Sequence, residues 1–162
     1  DGFDYEAVRS KRVELMDNYV EKNGIEVKSG AKELLSFLKE NGYRVALATA
    51  TPPQRAERYL KAHDLYKYFD VTVSASMVSV GKPAPDIYLK AAEMLGLSPQ
   101  NCVALEDSPN GIKSASSAGC VTVMVPDLDK PSNDIIPLLH GVADGLSDVK
   151  RILRELEDCN IQ

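Results

Sequence analysis

Apolar positions along this chain alternate between two rhythms, a spacing of three to four residues and short unbroken runs, and each rhythm predicts an element. Val8, Val13, Met16, Tyr19 and Val20 fall on a roughly helical period over residues 4–23, and Asn23-Gly24 stops that helix. Ala31, Leu34, Leu35 and Leu38 mark one face of a second helix over 31–40, closed by Asn41-Gly42. Residues 43–48 form a short apolar run of the kind a buried parallel strand shows. Thr51 can then cap a helix with Pro52 in its first position, and Ala56, Tyr59, Leu60 and His63 share that helix's inner face. Residues 69–73 read as a second strand. Ile87, Tyr88, Ala91, Met94 and Leu95 read as a helix ending at Gly96. Residues 102–105 are a third strand, 108–118 a helix closed by Gly119, and 121–125 a fourth strand. Val149, Ile152, Leu153 and Leu156 belong to a last helix, and 126–137 is the best loop candidate.

Strands alternating with helices mean an α/β fold with a mainly parallel, Rossmann-like sheet, whose sites lie at the carboxyl ends of the strands. The first helix stands apart from this alternation, with nothing in the sequence for it to pack on. Composition changes the picture only by exclusion. The chain has 162 residues, 44% of them hydrophobic and 27% charged, ordinary values for a globular domain. A net charge of −5 with interspersed signs argues against a nucleic-acid binder. No apolar run approaches the ~20 residues that span a bilayer, so no membrane partner is expected. Cys102, Cys120 and Cys159 are odd in number and widely spaced, which reads as reduced thiols in a cytoplasmic protein.

Candidate chemistry gathers at three strand ends. Thr49-Ala50-Thr51 follows the first strand. Its hydroxyls and the free N–H groups of a following helix suit an anion, although a plain helix cap explains the same residues. Lys82 sits in Gly81-Lys82-Pro83-Ala84-Pro85-Asp86, where two prolines stiffen the loop enough to aim an ammonium at a phosphoryl group. A solvated loop lysine is the alternative, and Asp86 reads as the cap of the helix over 87–95. Glu106 and Asp107 end the third strand and offer the hard oxygens that Mg²⁺ prefers. Strand neighbours point to opposite faces, so both can serve one site only if the backbone turns at Asp107; otherwise Asp107 or Ser108 is simply a cap.

The runs ALATAT (46–51), GKPAPD (81–86) and LEDSPNG (105–111) resemble, in order and spacing, the second, third and fourth signature motifs of the haloacid dehalogenase superfamily. The likeness is to its β-phosphoglucomutase-like branch and covers about residues 26–145. It implies Mg²⁺-dependent phosphoryl transfer on a small phosphorylated metabolite, a sugar phosphate, by a phosphatase or phosphomutase working through an aspartyl-phosphate. It also implies roles. Thr49, helped by the N–H of Ala50, would bind the transferring phosphoryl group. Thr51 would sit near a second phosphate, a role weakened here by Pro52-Pro53. Lys82 would offset charge, and Glu106 and Asp107 would bind the metal.

The family's first motif, DxDx[TV] after an apolar strand, carries the nucleophile and the general acid. Asp1-Gly2-Phe3-Asp4 has the wrong spacing, and Asp127-Leu128-Asp129 has the right spacing but follows the fourth motif. Residues 1–24 then read as a remnant of the family's helical cap and 25–162 as the α/β core, with the chain by itself inactive. In the family the first-motif strand lies between those of the second and fourth motifs. The sheet is therefore expected to be completed by another segment, to close up, or to pair with another chain as a dimer partner. A non-catalytic binding module on the same scaffold is the competing reading. An unrelated nucleotide-binding domain would need a GxGxxG or GxxxxGK[ST] loop that the chain does not contain.

Overall fold

The computed structural model of the chain describes residues 2–159, and the expectation for the Cys159 thiol lies outside them because that side chain is not described. Among the described residues six α-helices and five strands follow one another: α1 (Tyr5–Asn23), α2 (Ala31–Glu40), β1 (Ala46–Thr49), α3 (Pro53–Ala62), β2 (Val71–Ser74), α4 (Asp86–Leu95), β3 (Val103–Glu106), α5 (Pro109–Ala118), β4 (Val121–Met124), β5 (Gly141–Val142) and α6 (Val149–Cys159). The α/β alternation and the parallel sheet flanked by helices are as the apolar pattern requires. Each strand begins two or three residues later than expected at β1 and β2 and one residue later at β3. The cause at β1 is local. Asp70 accepts from the Val45 N–H at 2.7 Å, so a side chain rather than a strand neighbour takes the first amide. The short β5, inside a stretch with no apolar run, was not foreseen.

The strands form two separate parallel sheets. β1 pairs with β2 from Ala46↔Val71 to Thr49↔Ser74. β3 pairs with β4 from Val103↔Val121 to Glu106↔Met124, and β4 pairs with β5 at Val123↔Gly141. One core cluster lies under α4 and α5 and includes Val73, Ile87, Tyr88, Ala104 and Ala115. Another lies under α2 and α6 and includes Leu34, Val123, Val149 and Ile152, with Leu105 packed against it. Strand alternation thus sends Ala104 and Leu105 to opposite layers.

Between the two sheets runs a slot of about 360 Å³, with residues 45–48 on one wall and 102–106 on the other. Tyr88 and Ala91 of α4 line it from one layer, Leu38 of α2 and Leu153 of α6 from the other. Two of the three outcomes foreseen for the sheet therefore do not occur within the chain: among the described residues no segment fills the slot, and β1 and β3 do not close up. The carbonyl of Val45 accepts from Asp70 and Val71, on the β2 side, and that of Glu106 accepts from Val125, on the β4 side. Alternate residues of a parallel ladder bond the same neighbour. The amides of Ala46, Ala48, Val103 and Leu105 accordingly face the slot.

α1 carries no buried residue, and Phe3, Tyr5, Met16 and Tyr19 are exposed along it and just before it. Asp4 caps it by accepting from Ala7, and Asp17 pairs with Arg55 of α3 at 2.8 Å. Among the described residues no helix is long and apolar enough to cross a membrane.

Candidate active site

The three motif segments converge where β1 and β3 end. At the end of β1 the backbone N–H of Thr51 donates to Thr49 Oγ1 at 3.0 Å, closing a tight local turn. This turn corrects one expectation: Thr51 does not cap α3, which begins at Pro53 with Pro52 in the capping position and no side-chain cap. The bond uses a lone pair of the Thr49 hydroxyl and leaves its proton free to donate, which suits an anion in front of the strand.

The loop carrying Lys82 is tied at several points. Ala84 N–H donates to Gly81 O at 3.0 Å, and the Lys82–Pro83 peptide is cis. Asp86 corrects a second expectation. It is the first residue of α4 and accepts from the Val80 N–H across the loop at 3.3 Å rather than capping the helix. Ser114, fully buried on α5, donates to the carbonyl of Ala84 at 2.6 Å and fixes the loop to the helix that follows β3.

So held, Lys82 reaches both half-sheets. Its ammonium donates to the carbonyl of Ala48, immediately before Thr49, at 3.3 Å, and forms a hydrogen-bonded ion pair with Glu106 Oε1 at the end of β3. Glu106 is only 8% exposed, so this pair is largely shielded from water and screened far less than a surface pair. The Tyr88 hydroxyl donates to the same Oε1, and Ser108 Oγ donates to Oε2 at 3.4 Å. Burial, with the Glu106 carboxylate next in weight, pushes the Tyr88 phenol far above its ordinary value, so it stays protonated and able to donate.

The backbone bends at Asp107, as a shared acidic site requires, and Asp107 is exposed while Glu106 is buried. Ser108 is the N-cap of α5, accepting from the Gly111 N–H at 3.2 Å. Gly111 carries the packing requirement here. A Cβ at that position would lie 1.8 Å from Glu106 Oε2, so only glycine leaves room for the carboxylate. Sequence reasoning missed Tyr88, Gly111 and Ser114. Tyr88 was absorbed into the apolar face of α4, and a hydroxyl within that face, six residues after Lys82, was the available signal.

Glu106 and Asp107 also line a smaller cavity of about 190 Å³ together with Asp127 and Lys28. Asp127 is ion-paired with Lys28 at 3.2 Å, and Leu128 beside it is 96% exposed, as in a surface loop. Mg²⁺ takes oxygen donors in near-octahedral array. The donor types fit that ion. The set does not close around it, because Glu106 Oε1 is committed to Lys82 and Tyr88. Among the described residues no three such side chains converge on one point. Cys102 and Cys120 are free, and burial raises the Cys120 thiol to about 11, which leaves it protonated and inert as a nucleophile at neutral pH.

Known proteins resemble this chain in sequence and fold. The phosphorylated carbohydrates phosphatase of Thermotoga maritima is 39% identical over 124 residues, 76% of this chain and 50% of its own length. Hexitol phosphatase B of Escherichia coli is 40% identical over 97 residues, 60% of this chain and 44% of its own. The crystal structure of CbbY from Rhodobacter sphaeroides in complex with phosphate superposes with a TM-score of 0.77 at 26% identity, over 92% of this chain and 67% of that one. β-Phosphoglucomutase from Clostridium difficile gives 0.71 at 25% identity, over 84% and 59%. The chain spans about half the length of the curated relatives it matches. The family model for haloacid dehalogenase-like hydrolases matches residues 2–119, well over half of the sequence, and the chain therefore belongs to that family.

Proposed function

We propose that this chain supplies the phosphoryl-binding part of a Mg²⁺-dependent phosphatase or phosphomutase acting on a small phosphorylated metabolite, a sugar phosphate, in the cytoplasm. One observation carries the reading: Lys82 bridges the end of β1, beside Thr49, and the end of β3, at Glu106. A cation fixed between two strand ends, next to a hydroxyl with a free proton, matches the charge and geometry of a transferring phosphoryl group. The names of the relatives, phosphatases of phosphorylated carbohydrates and of hexitols, support the substrate class.

In this proposal Thr49 and the N–H of Ala50 hold phosphoryl oxygens, Thr51 borders the substrate, and Lys82 offsets the charge that builds up during transfer. Glu106 and Asp107 would hold Mg²⁺ with further oxygens from outside the present set, and the ion would neutralise phosphoryl charge. Residues 1–24, with the unburied α1, are assigned to a cap, and 25–162 to the core. The nucleophilic and proton-transferring carboxylates enter on a parallel strand seated in the slot between β1 and β3, where four backbone amides already face inward. Such a strand-completing segment is favoured over a dimer partner because the slot is walled by helices on both faces.

The test is a phosphatase assay on the 162-residue chain with Mg²⁺ and p-nitrophenyl phosphate, alone and with a synthetic apolar strand peptide ending in DxDxT. The chain alone should show no turnover. The peptide should restore Mg²⁺-dependent turnover that Lys82→Ala abolishes and Thr49→Ala lowers by about a hundredfold, the scale of one lost transition-state donor. Turnover by the chain alone that disappears in Lys82→Ala would sink the assignment of the nucleophile to the slot.

A further inference from the structure

Three groups meet at one oxygen in this site, and the proposed chemistry uses only two of them. Glu106 Oε1 accepts from the Lys82 ammonium and from the Tyr88 hydroxyl, and the Lys82 ammonium also donates to the Tyr88 oxygen at 3.4 Å. The same ammonium lies 5.1 Å from the centroid of the Tyr88 ring. Tyr88 is 9% exposed and belongs to the core cluster under α4 and α5, so its phenol cannot swing away to water. A buried phenol on a rigid helix is a costly group to keep unless it is hydrogen-bonded, and its partner here is a charged residue of the site.

The triangle has a consequence for Lys82. An ammonium paired to a single carboxylate in a shielded site gives most of its attraction to that carboxylate. A second donor on the same carboxylate oxygen shares the negative charge and weakens the hold of Glu106 on Lys82. The phenol oxygen meanwhile gives Lys82 a neutral third partner that an incoming anion can displace. The ring beneath the ammonium limits where it can go.

We infer that Tyr88 is a positioning residue for phosphoryl transfer, holding Glu106 and Lys82 in one arrangement that leaves the Lys82 charge available at the end of β1. It does not touch the reacting atoms; it acts through Lys82. The inference rests on the phosphoryl-transfer reading above for its catalytic part, and on the geometry of the triangle alone for its positioning part.

The two parts are tested separately with Tyr88→Phe, which keeps the ring and removes only the hydroxyl. In the first experiment the 162-residue chain carries ¹⁵N-labelled lysine, and the Lys82 ammonium resonance is assigned by its absence from Lys82→Arg. The Lys82 signal should shift or broaden in Tyr88→Phe as one of its partners is lost, while the other lysine signals stay. An unchanged Lys82 signal overturns the inference whatever the activity of the protein. In the second, the strand-completed enzyme is assayed. Tyr88→Phe should lower kcat about tenfold, the scale of one hydrogen bond to a charged group, with KM within twofold. Ile152→Val, a core change in α6 remote from the site, should leave kcat where it was. A Tyr88→Phe enzyme with wild-type kcat overturns the inference. Failure of the strand to restore any turnover counts against the phosphoryl-transfer reading, while the lysine resonance still decides the positioning role.

Discussion

β1 and β4 are both four-residue parallel strands that follow a helix in sequence, yet their surroundings differ completely. All four residues of β1, Ala46 to Thr49, are half-buried. In β4 three of four are buried, and Val123, Met124 and Thr122 are wholly so. β4 has a neighbour on each edge, β3 and β5. β1 has β2 on one edge and the slot on the other. An apolar run therefore fixes which segments are strands, while burial depends on what occupies both edges, and that is a property of the sheet rather than of the run.

The largest test of this contrast is truncation of one apolar side chain in each strand. Met124→Ala should cost about 3 kcal/mol, because its site is fully buried and cannot collapse without leaving a cavity. Leu47→Ala should cost about 1 kcal/mol, since its surroundings already open on the slot. Urea denaturation measures both. Comparable losses would break the comparison. Seating a strand peptide in the slot should raise the cost at Leu47 towards that at Met124 and so sharpen it.

The second test falls where the three-stranded half meets the site. Gly111→Ala drives a Cβ into the Glu106 carboxylate, and overpacking of this kind costs about 2 kcal/mol. The combination Gly111→Ala with Glu106→Ala should recover part of that loss by removing the group that is struck. A loss that is unchanged in the double variant would mean that the glycine matters for the helix backbone and not for the carboxylate.

The smallest effect belongs to the two-stranded half. Asp70 accepts from Lys39 of α2 at 2.7 Å and from the Val45 N–H, and so ties α2 to the start of β1. The Lys39 hydrogen bond, then that of Val45, lowers its pKa from the ordinary 3.8. A carboxyl depressed on folding stabilises the folded state above its ordinary pKa, and that contribution is lost as pH falls through the depressed value. Asp70→Asn should therefore cost about 0.5 kcal/mol at pH 7, a figure discounted because the side chain is 39% exposed, and less at pH 2.5. A cost that does not change between the two pH values would remove the electrostatic account of this tie.

Much of the molecule was legible beforehand because its information is local. Helix ends at Gly96 and Gly119 follow from glycine's ease in left-handed backbone; Gly119 sits at φ 86°. Thr49, Lys82 and the Glu106–Asp107 pair were found from three strand ends, and the structure brings Lys82 to both of the others. What escaped depends on contacts across the chain. Tyr88 looks like one more apolar position until β3 places Glu106 beside it. Gly111 looks like a turn residue until the same carboxylate packs against it. The caps expected at Thr51 and Asp86 failed for different reasons: α3 starts at Pro53, with Pro52 rather than Thr51 in the capping position, and Asp86 reaches back to Val80. β5 is two residues long and defined by its pairing with β4, so no pattern in its own sequence announces it.

The slot also bears on what can pair with the strands that border it. Unpaired strand edges normally lie at the rim of a sheet, where the flat edge of another molecule can slide alongside and propagate. Here the open edges of β1 and β3 face each other across the slot, with α4 over one face and residues of α2 and α6 over the other, while β2 and β5 form the outer edges. A folded sheet is too broad to enter, whereas a single extended strand can be bonded from both sides at once. The same geometry that leaves backbone of β1 and β3 unpaired thus suits that slot to a single extended segment rather than to a folded sheet.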